Sequence, residues 1–302
     1  MKRVVAAAIL VAVQGLVWPA IAEAADQLVI STGSPKGVYT KYATALRDKV
    51  VEMAKMRGLT PPEIVIATSN GSLENVTRLG KGEAQLAPVQ PDVWYHFKEH
   101  GKGAPKLQLL TQLHEEYAYL LCNRAAKITS VDYFEKNNAE LITVGSGAAV
   151  TWRAWVELDK DYARSKPIFE ASPAVALQKV AAGGGAPCLL YVAGLNNDFL
   201  KVDAAKLADK VVLTEIDDGD FNDAKDFRGE RIYQFTDLPK NTFGKLQPGG
   251  VFNNTGPETL KQRAILVADA DWLAKNPQIH ELIAEALIDL GDIADAIAAG
   301  RK

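Results

Sequence analysis

Three turns in this sequence carry residue types that can hold an anion. They are Ser31-Thr32-Gly33-Ser34-Pro35-Lys36-Gly37, Thr68-Ser69-Asn70-Gly71-Ser72-Leu73-Glu74-Asn75 and Gly145-Ser146-Gly147-Ala148-Ala149-Val150-Thr151. Each sets short hydroxyls or amides beside glycines that let a ligand approach the backbone N–H groups, chemistry suited to a carboxylate. Any one of them also reads as ordinary helix capping. Three in one chain point to a site. A fourth segment, Pro88-Val89-Gln90-Pro91-Asp92-Val93-Trp94-Tyr95, ends a strand at Gln90, whose amide can donate to a ligand oxygen. Asp92 reads there as a first-turn residue favoured by the helix dipole. Arg153, next to Thr151, either pairs bidentately with a ligand carboxylate or faces solvent one turn into its helix.

Catalytic signatures are incomplete throughout. There is no Gly-x-Ser-x-Gly elbow and no phosphate loop, and Gly145 to Val150 fails the dinucleotide fingerprint at its last position. His280-Glu281-Leu282-Ile283-Ala284 starts like a zinc-protease helix but has alanine where the second ligand must stand. His96, His100 and His114 are not spaced as a ligand cluster, so no metal and no cofactor is assigned. The acidic stretch Asp217 to Asp223 departs from the EF-hand spacing and reads as a solvated loop, with calcium as the alternative.

The elements that must position these turns alternate. Strands are expected at Gln27 to Ile30, Glu63 to Ala67, Gln85 to Val89, Leu107 to Thr111, Tyr117 to Cys122, Leu141 to Val144, Cys188 to Ala193 and Val211 to Glu215. Helices are expected from Val38 to Met56, around Leu73, Val76 and Leu79, from about Thr151 to Tyr162, from Ser172-Pro173, and as one long amphipathic segment from Pro277 to Ala299. Such order implies α/β architecture with mostly parallel sheets covered by helices on both faces.

Met1-Lys2-Arg3, an apolar run from Val4 to Val13 and Ala22-Glu23-Ala24 describe a secretory signal peptide over residues 1–24, and hence a periplasmic location. A retained anchor needs about 20 uninterrupted apolar residues, and Gln14, Gly15 and Pro19 break the run. The mild net charge of −3 argues against a nucleic-acid partner. The remaining chain is long enough for two ordinary domains. Its two cysteines, Cys122 and Cys188, sit in apolar strand-like runs and suit either a disulfide or two buried thiols.

Read in order, Ile30 to Tyr39, Asn70-Gly71-Ser72-Leu73-Glu74-Asn75 and Gly82 to Asp92 resemble the TAXI family, the extracytoplasmic solute-binding receptors of a class of TRAP transporters. The likeness spans essentially the whole mature chain, with further matches at Val144-Gly145, Thr151 and, weakly, Pro239 to Gly244. It implies a two-lobed periplasmic-binding-protein-like fold, each lobe a mostly parallel sheet flanked by helices, the lobes joined by crossing strands. Residues 25–122 would form the first part of lobe 1, 123–245 lobe 2, and 246–302 the return to lobe 1 with the C-terminal helix. The partners implied are a TRAP membrane subunit and a small carboxylate-bearing solute like glutamate, glutamine or 2-oxoglutarate. Carried over motif by motif, the site draws on Thr32, Gly33, Ser34, Tyr39, Asn70, Gly71, Ser72 and Gln90 from one lobe and on the turn through Ser146 to Thr151 from the other, with Trp152 covering an apolar part. The chain departs from the family pattern at Gly147-Ala148-Ala149-Val150, where Pro-Gly-Ser-Gly is usual, and at Pro91, where serine is usual. The rival functions are an ABC-type receptor of the same architecture and an envelope hydrolase.

Overall fold

The computed structural model describes residues 27–93, 95, 106–226, 228–248 and 255–300. The leader segment, Trp94, His96 and His100 lie outside these residues.

The chain opens with β1 (Leu28–Ser31), α1 (Val38–Met56), β2 (Ile64–Ala67), α2 (Ser72–Gly80) and β3 (Leu86–Val89). β1 pairs in parallel with both β2 and β3. One face of α1 buries Tyr39, Tyr42, Leu46, Val50 and Met53, against β1 and the C-terminal helices. That is the helical spacing the sequence shows, turned toward the core.

β4 (Leu107–Asn123) is a single 17-residue strand, where the sequence suggested two. The polar run Gln112 to Glu116 reads as a break, but here it is the stretch of strand that passes between the lobes. Its antiparallel partner β10 (Glu258–Asp269) runs the same course. The N-terminal part of β4 and the C-terminal part of β10 complete the β1–β3 sheet, since β10 also pairs with β3. At the other end β4 pairs with β7 (Cys188–Ala193) and β8 (Val211–Thr214), and β10 with β9 (Gln234–Asp237). β5 (Glu140–Val144) lies parallel to β7 and to β6 (Lys166–Glu170), which finishes the second lobe.

The remaining helices are α3 (Asp132–Lys136), α4 (Gly145–Leu158), α5 (Pro173–Ala182), α6 (Ala270–Lys275), α7 (Pro277–Leu290) and α8 (Ile293–Ala298). Ser172 caps α5 by accepting from the Val175 N–H, with Pro173 in the first turn, as the sequence suggests. Two expectations shift. The long C-terminal helix is two helices, because Gly291 takes φ 43°, a left-handed conformation that ends α7. α4 begins at Gly145, directly after β5, so the third turn of the sequence reading is the first two turns of a helix. Among the described residues, no helix is long and apolar enough to cross a membrane.

Cys122 and Cys188 form a disulfide. They are register partners on adjacent antiparallel strands, which brings their Cα atoms to 4.0 Å and resolves the alternatives left by the sequence. The bond closes a loop between positions 66 residues apart, and such cross-links stabilise by about 2–4 kcal/mol, chiefly by restricting the unfolded chain. Replacing both cysteines by serine is expected to lower Tm by roughly 5–15 °C. Calorimetry of the oxidised protein beside the double variant checks this, and equal melting would show that the bond adds nothing.

Candidate functional site

The two lobes meet where the N-termini of α2 and α4 face each other. Ser146, in the first turn of α4, donates its N–H and its hydroxyl to the Asn70 carbonyl at 3.2 and 2.9 Å. Its Oγ in turn accepts from the Leu73 N–H at 3.3 Å. A hydroxyl of one lobe thus satisfies a free N–H in the first turn of the other lobe's helix. Gly71, at φ 112°, allows this approach: a Cβ there would lie 3.0 Å from Ser146 Oγ. Beside it Val150 of α4 is fully buried among Val76, Leu79, Val89 and Val93 of lobe 1. This is the position that departs from the family pattern, and here it is an apolar knob across the lobe boundary.

Behind these contacts lies a buried polar group drawn from both lobes and from the crossing strands. Asp92 is fully buried just past β3. Its Oδ2 accepts from Thr151 Oγ1 at 2.5 Å, Tyr233 Oη at 2.7 Å and Gln262 Nε2 at 3.1 Å. Those donors come from α4, the approach to β9, and β10. Gln262 is the register partner of Glu116 across the β4–β10 pair, and His114, two residues before Glu116, shares that face. Glu116 accepts from Tyr39 Oη at 3.3 Å and faces His114 Nε2 at 3.3 Å. Gln90 sits over Ser72, whose Oγ donates to its Oε1 at 3.2 Å and accepts from its N–H at 3.0 Å.

Among the described residues, four atoms in this group are buried and without a hydrogen-bond partner: Gln90 Nε2, Asp92 Oδ1, His114 Nδ1 and Gln262 Oε1. Buried polar atoms are nearly always paired, and an unsatisfied one costs about 1–3 kcal/mol. Three more such atoms, Trp152 Nε1, Trp155 Nε1 and Thr214 Oγ1, lie elsewhere among the described residues, and these four gather at the interlobe boundary.

The electrostatics follow from burial. Desolvation raises the Asp92 carboxyl from 3.8 to about 6 against the three donors that favour its charged form, and nearby Glu116 adds to the rise. Burial, then the Glu116 carboxylate, holds the Tyr39 phenol well above its usual range. Burial, then Asp92, does the same for Tyr233.

Of the residues the sequence singles out, Tyr39, Gly71, Ser72, Gln90, Ser146 and Thr151 converge here. Thr32, Gly33, Ser34 and Asn70 belong to the rim of lobe 1. Thr32 is tied within its own lobe, its hydroxyl on the Ala67 carbonyl at 3.0 Å and its carbonyl receiving Asn75 Nδ2 at 2.6 Å. Ser34 is exposed and its carbonyl accepts from Thr40 Oγ1 at 2.8 Å. Asn70 contributes its carbonyl across the boundary, while its exposed side chain donates to Glu74 at 2.9 Å. Trp152 is not a cover for a ligand: it is buried in the core of lobe 2 against Phe134, Trp155 and Tyr162, because α4 turns it 100° away from Thr151. Arg153 is exposed, the solvent-facing one of its two readings. The acidic stretch is partly engaged: Asp218 accepts from Tyr162 Oη and the Asp220 N–H, and Asp217 from Ser130 Oγ.

The sequence reading missed Glu116, His114, Tyr233 and Gln262, and it placed Asp92 on a helix dipole rather than at the centre of the site. The available signal was polarity at alternate positions, His114 and Glu116, inside a strand otherwise rich in apolar residues.

No family model matches the chain, and no curated protein sequence matches it. Among solved structures, XAC2383 from Xanthomonas citri bound to ATP is similar at a TM-score of 0.55 and 10% identity, over 91% of this chain and 87% of that one. The GluR0 ligand-binding core in complex with L-glutamate is similar at 0.50 and 13%, over 91% and 94%. At such identities the likeness concerns the fold: this chain has the two-lobed α/β fold of periplasmic binding proteins.

Two predictions arise from this geometry. Below about pH 4 Asp92 is protonated in both the folded and the unfolded chain; between 3.8 and about 6 the folded chain keeps a proton that the unfolded chain releases. Its contribution to stability therefore falls by up to about 3 kcal/mol as pH rises through that window, then levels off. The difference in Tm between Asp92→Asn and the parent is expected to move in favour of the variant from pH 4 to 6.5, and parallel melting profiles would show that Asp92 does not titrate there. The second concerns Gly147, where a Cβ would fall 2.1 Å from Gln90 Oε1, an amide with no room to retreat at 3% exposure. Gly147→Ala is expected to push the lobes apart, read as a larger radius of gyration by small-angle X-ray scattering with little change in far-UV circular dichroism.

Proposed function

We propose that this protein is an extracytoplasmic solute-binding receptor that closes its two lobes on a small amino acid or organic acid and delivers it to a TRAP-type membrane transporter, as a receptor of the TAXI kind. The observation that carries the reading is the set of four buried polar atoms at the interlobe boundary without a hydrogen-bond partner among the described residues, two of them on Asp92 and Gln262, whose hydrogen bonds also join the lobes. A solute bonded to them gains contacts that only the closed form offers, and such differential contact is what drives closure.

The binding chemistry needs no bond-making. Backbone N–H groups at helix N-termini and the side chains of Ser72, Gln90 and Tyr39 take the place of water around the solute's polar groups. His114 is held against Glu116 and Tyr39, and both cysteines are in the disulfide, so neither thiol is poised as a nucleophile. The TRAP assignment, in preference to an ABC permease, is supported by the motif order from Ile30 through Asp92. Co-purification with TRAP or ABC membrane subunits separates the two.

A thermal-shift screen against small amino acids, mono- and dicarboxylates and sugars tests the receptor reading. A solute at 100 times its Kd adds about 2.7 kcal/mol to folding stability, an increase in Tm of several degrees for a chain of this size. No shift with any solute, together with turnover of an ester or peptide by the purified protein, would replace the receptor with a hydrolase.

A further inference from the structure

The polarity of the interlobe group says more than that a solute binds. Its carboxyl groups, Asp92 and Glu116, are both more than nine-tenths buried. After burial, Glu116 adds to the rise at Asp92 and Tyr39, and Asp92 to the rise at Tyr39 and Tyr233, so each carboxyl places negative charge against its neighbours. The cations on the crossing strands are turned away: Lys261 bonds Glu115 at 2.8 Å and Arg263 bonds Asp295 at 3.0 Å, on the face opposite Glu116 and Gln262. An amine-free dicarboxylate placed here meets two carboxyls, and the basic side chain at hand among the described residues, His114, already faces Glu116 at 3.3 Å.

Asp92 also uses its two oxygens unequally. Oδ2 collects Thr151, Tyr233 and Gln262, while Oδ1 is buried with none. The amide of Gln262 is fastened through Nε2 to the same carboxyl, leaving its Oε1 unpartnered. Two acceptors, one of them a carboxylate oxygen, are therefore held around one carboxyl group with no donor assigned to either. Of the other two unpartnered atoms, Gln90 Nε2 is a donor, and His114 Nδ1 belongs to the imidazole beside Glu116.

We infer that the solute carries a protonated amine, taken by Asp92 Oδ1 and Gln262 Oε1, together with a carboxylate or carbonyl facing Gln90, and that Asp92 divides its carboxyl between cargo on one oxygen and lobe closure on the other. The inference rests on the receptor reading above and narrows its solute class to amino acids and similar zwitterions. A charge-assisted contact of this kind, once buried, is strong enough to discriminate sharply between a ligand that has the amine and one that lacks it.

The test uses matched pairs differing only in the amine: L-glutamate and glutarate, L-alanine and propionate, L-leucine and 4-methylpentanoate, with glucose as an uncharged control, titrated calorimetrically into the full-length mature protein. The expected result is that at least one amino acid binds and its amine-free partner binds roughly 10- to 100-fold more weakly. Asp92→Asn is expected to weaken the amino acid far more than its amine-free partner, so that the ratio between the two collapses toward one, whereas a purely structural role for Asp92 would weaken both alike and leave the ratio standing. An amine-free acid binding as tightly as its amino acid, or glucose binding while no amino acid does, overturns the inference and leaves the receptor standing. Binding of none of the probes counts against both. The wild-type pairs decide the matter even if Asp92→Asn fails to fold.

Discussion

Glu116 and Gln262 face each other across the two strands that both lobes share, and that pairing organises everything around it. β4 and β10 run the length of the molecule, so any opening of the lobes has to be absorbed within them or at their bulges. Register shifts occur in this pair between Arg263 and Ile265, and again between Leu266 and Val267, which are the places where a ladder bends most readily. A polar pair beside these irregularities sits where the strands can bend and where the proposed site has its floor. Strand alternation then forces the division of labour: Glu116, His114 and Gln262 look into the site, while Glu115, Lys261 and Arg263 make their ion pairs on the other face.

Closure is a balance of opposed terms of similar size. Val150 buried in lobe 1 is worth about 1.5–3 kcal/mol as an apolar side chain removed from water, and the Ser146 and Thr151 hydrogen bonds each add about a kcal/mol net. Against these stand the desolvated Asp92 carboxyl and the unpartnered amide and imidazole atoms, each unfavourable by a comparable amount. These terms oppose one another, and new polar contacts from a solute would add to the closing side. A larger apolar contact across the boundary would close the lobes regardless of cargo.

Much of the architecture was legible in the residues. Apolar periodicity located α1 from Val38 to Met56 to the residue, and the Ser172-Pro173 signal located the start of α5. What local pattern did not carry was continuity through polar sequence: Gln112 to Glu116 looks like a loop because its polarity serves the site, and only the pairing with β10 shows that it is strand. The same limit applied to the binding residues. Turns rich in glycine and serine drew attention to Gly71, Ser72 and Ser146, which do converge, but also to Thr32 and Ser34, whose hydrogen bonds stay within their own turn and lobe. Trp152 was set beside Thr151 by adjacency in sequence, although neighbours on a helix point 100° apart. Tyr233 and Gln262 carry no local signal, since their role comes from a carboxyl more than 100 residues away in the chain.

The fold by itself does not select a cargo. ATP and L-glutamate are found with two chains of this architecture that resemble the present one about equally, and a two-lobed scaffold supports either because the cargo-specific contacts are made by a few side chains at its mouth. In the site proposed for this chain those side chains would be acceptors on the Asp92 side and a donor at Gln90, with no lysine or arginine among the contacts described between them. A triphosphate in that setting would bring several negative charges against two buried carboxyls. The proposed site would instead be matched by a small solute carrying opposite charges at its two ends.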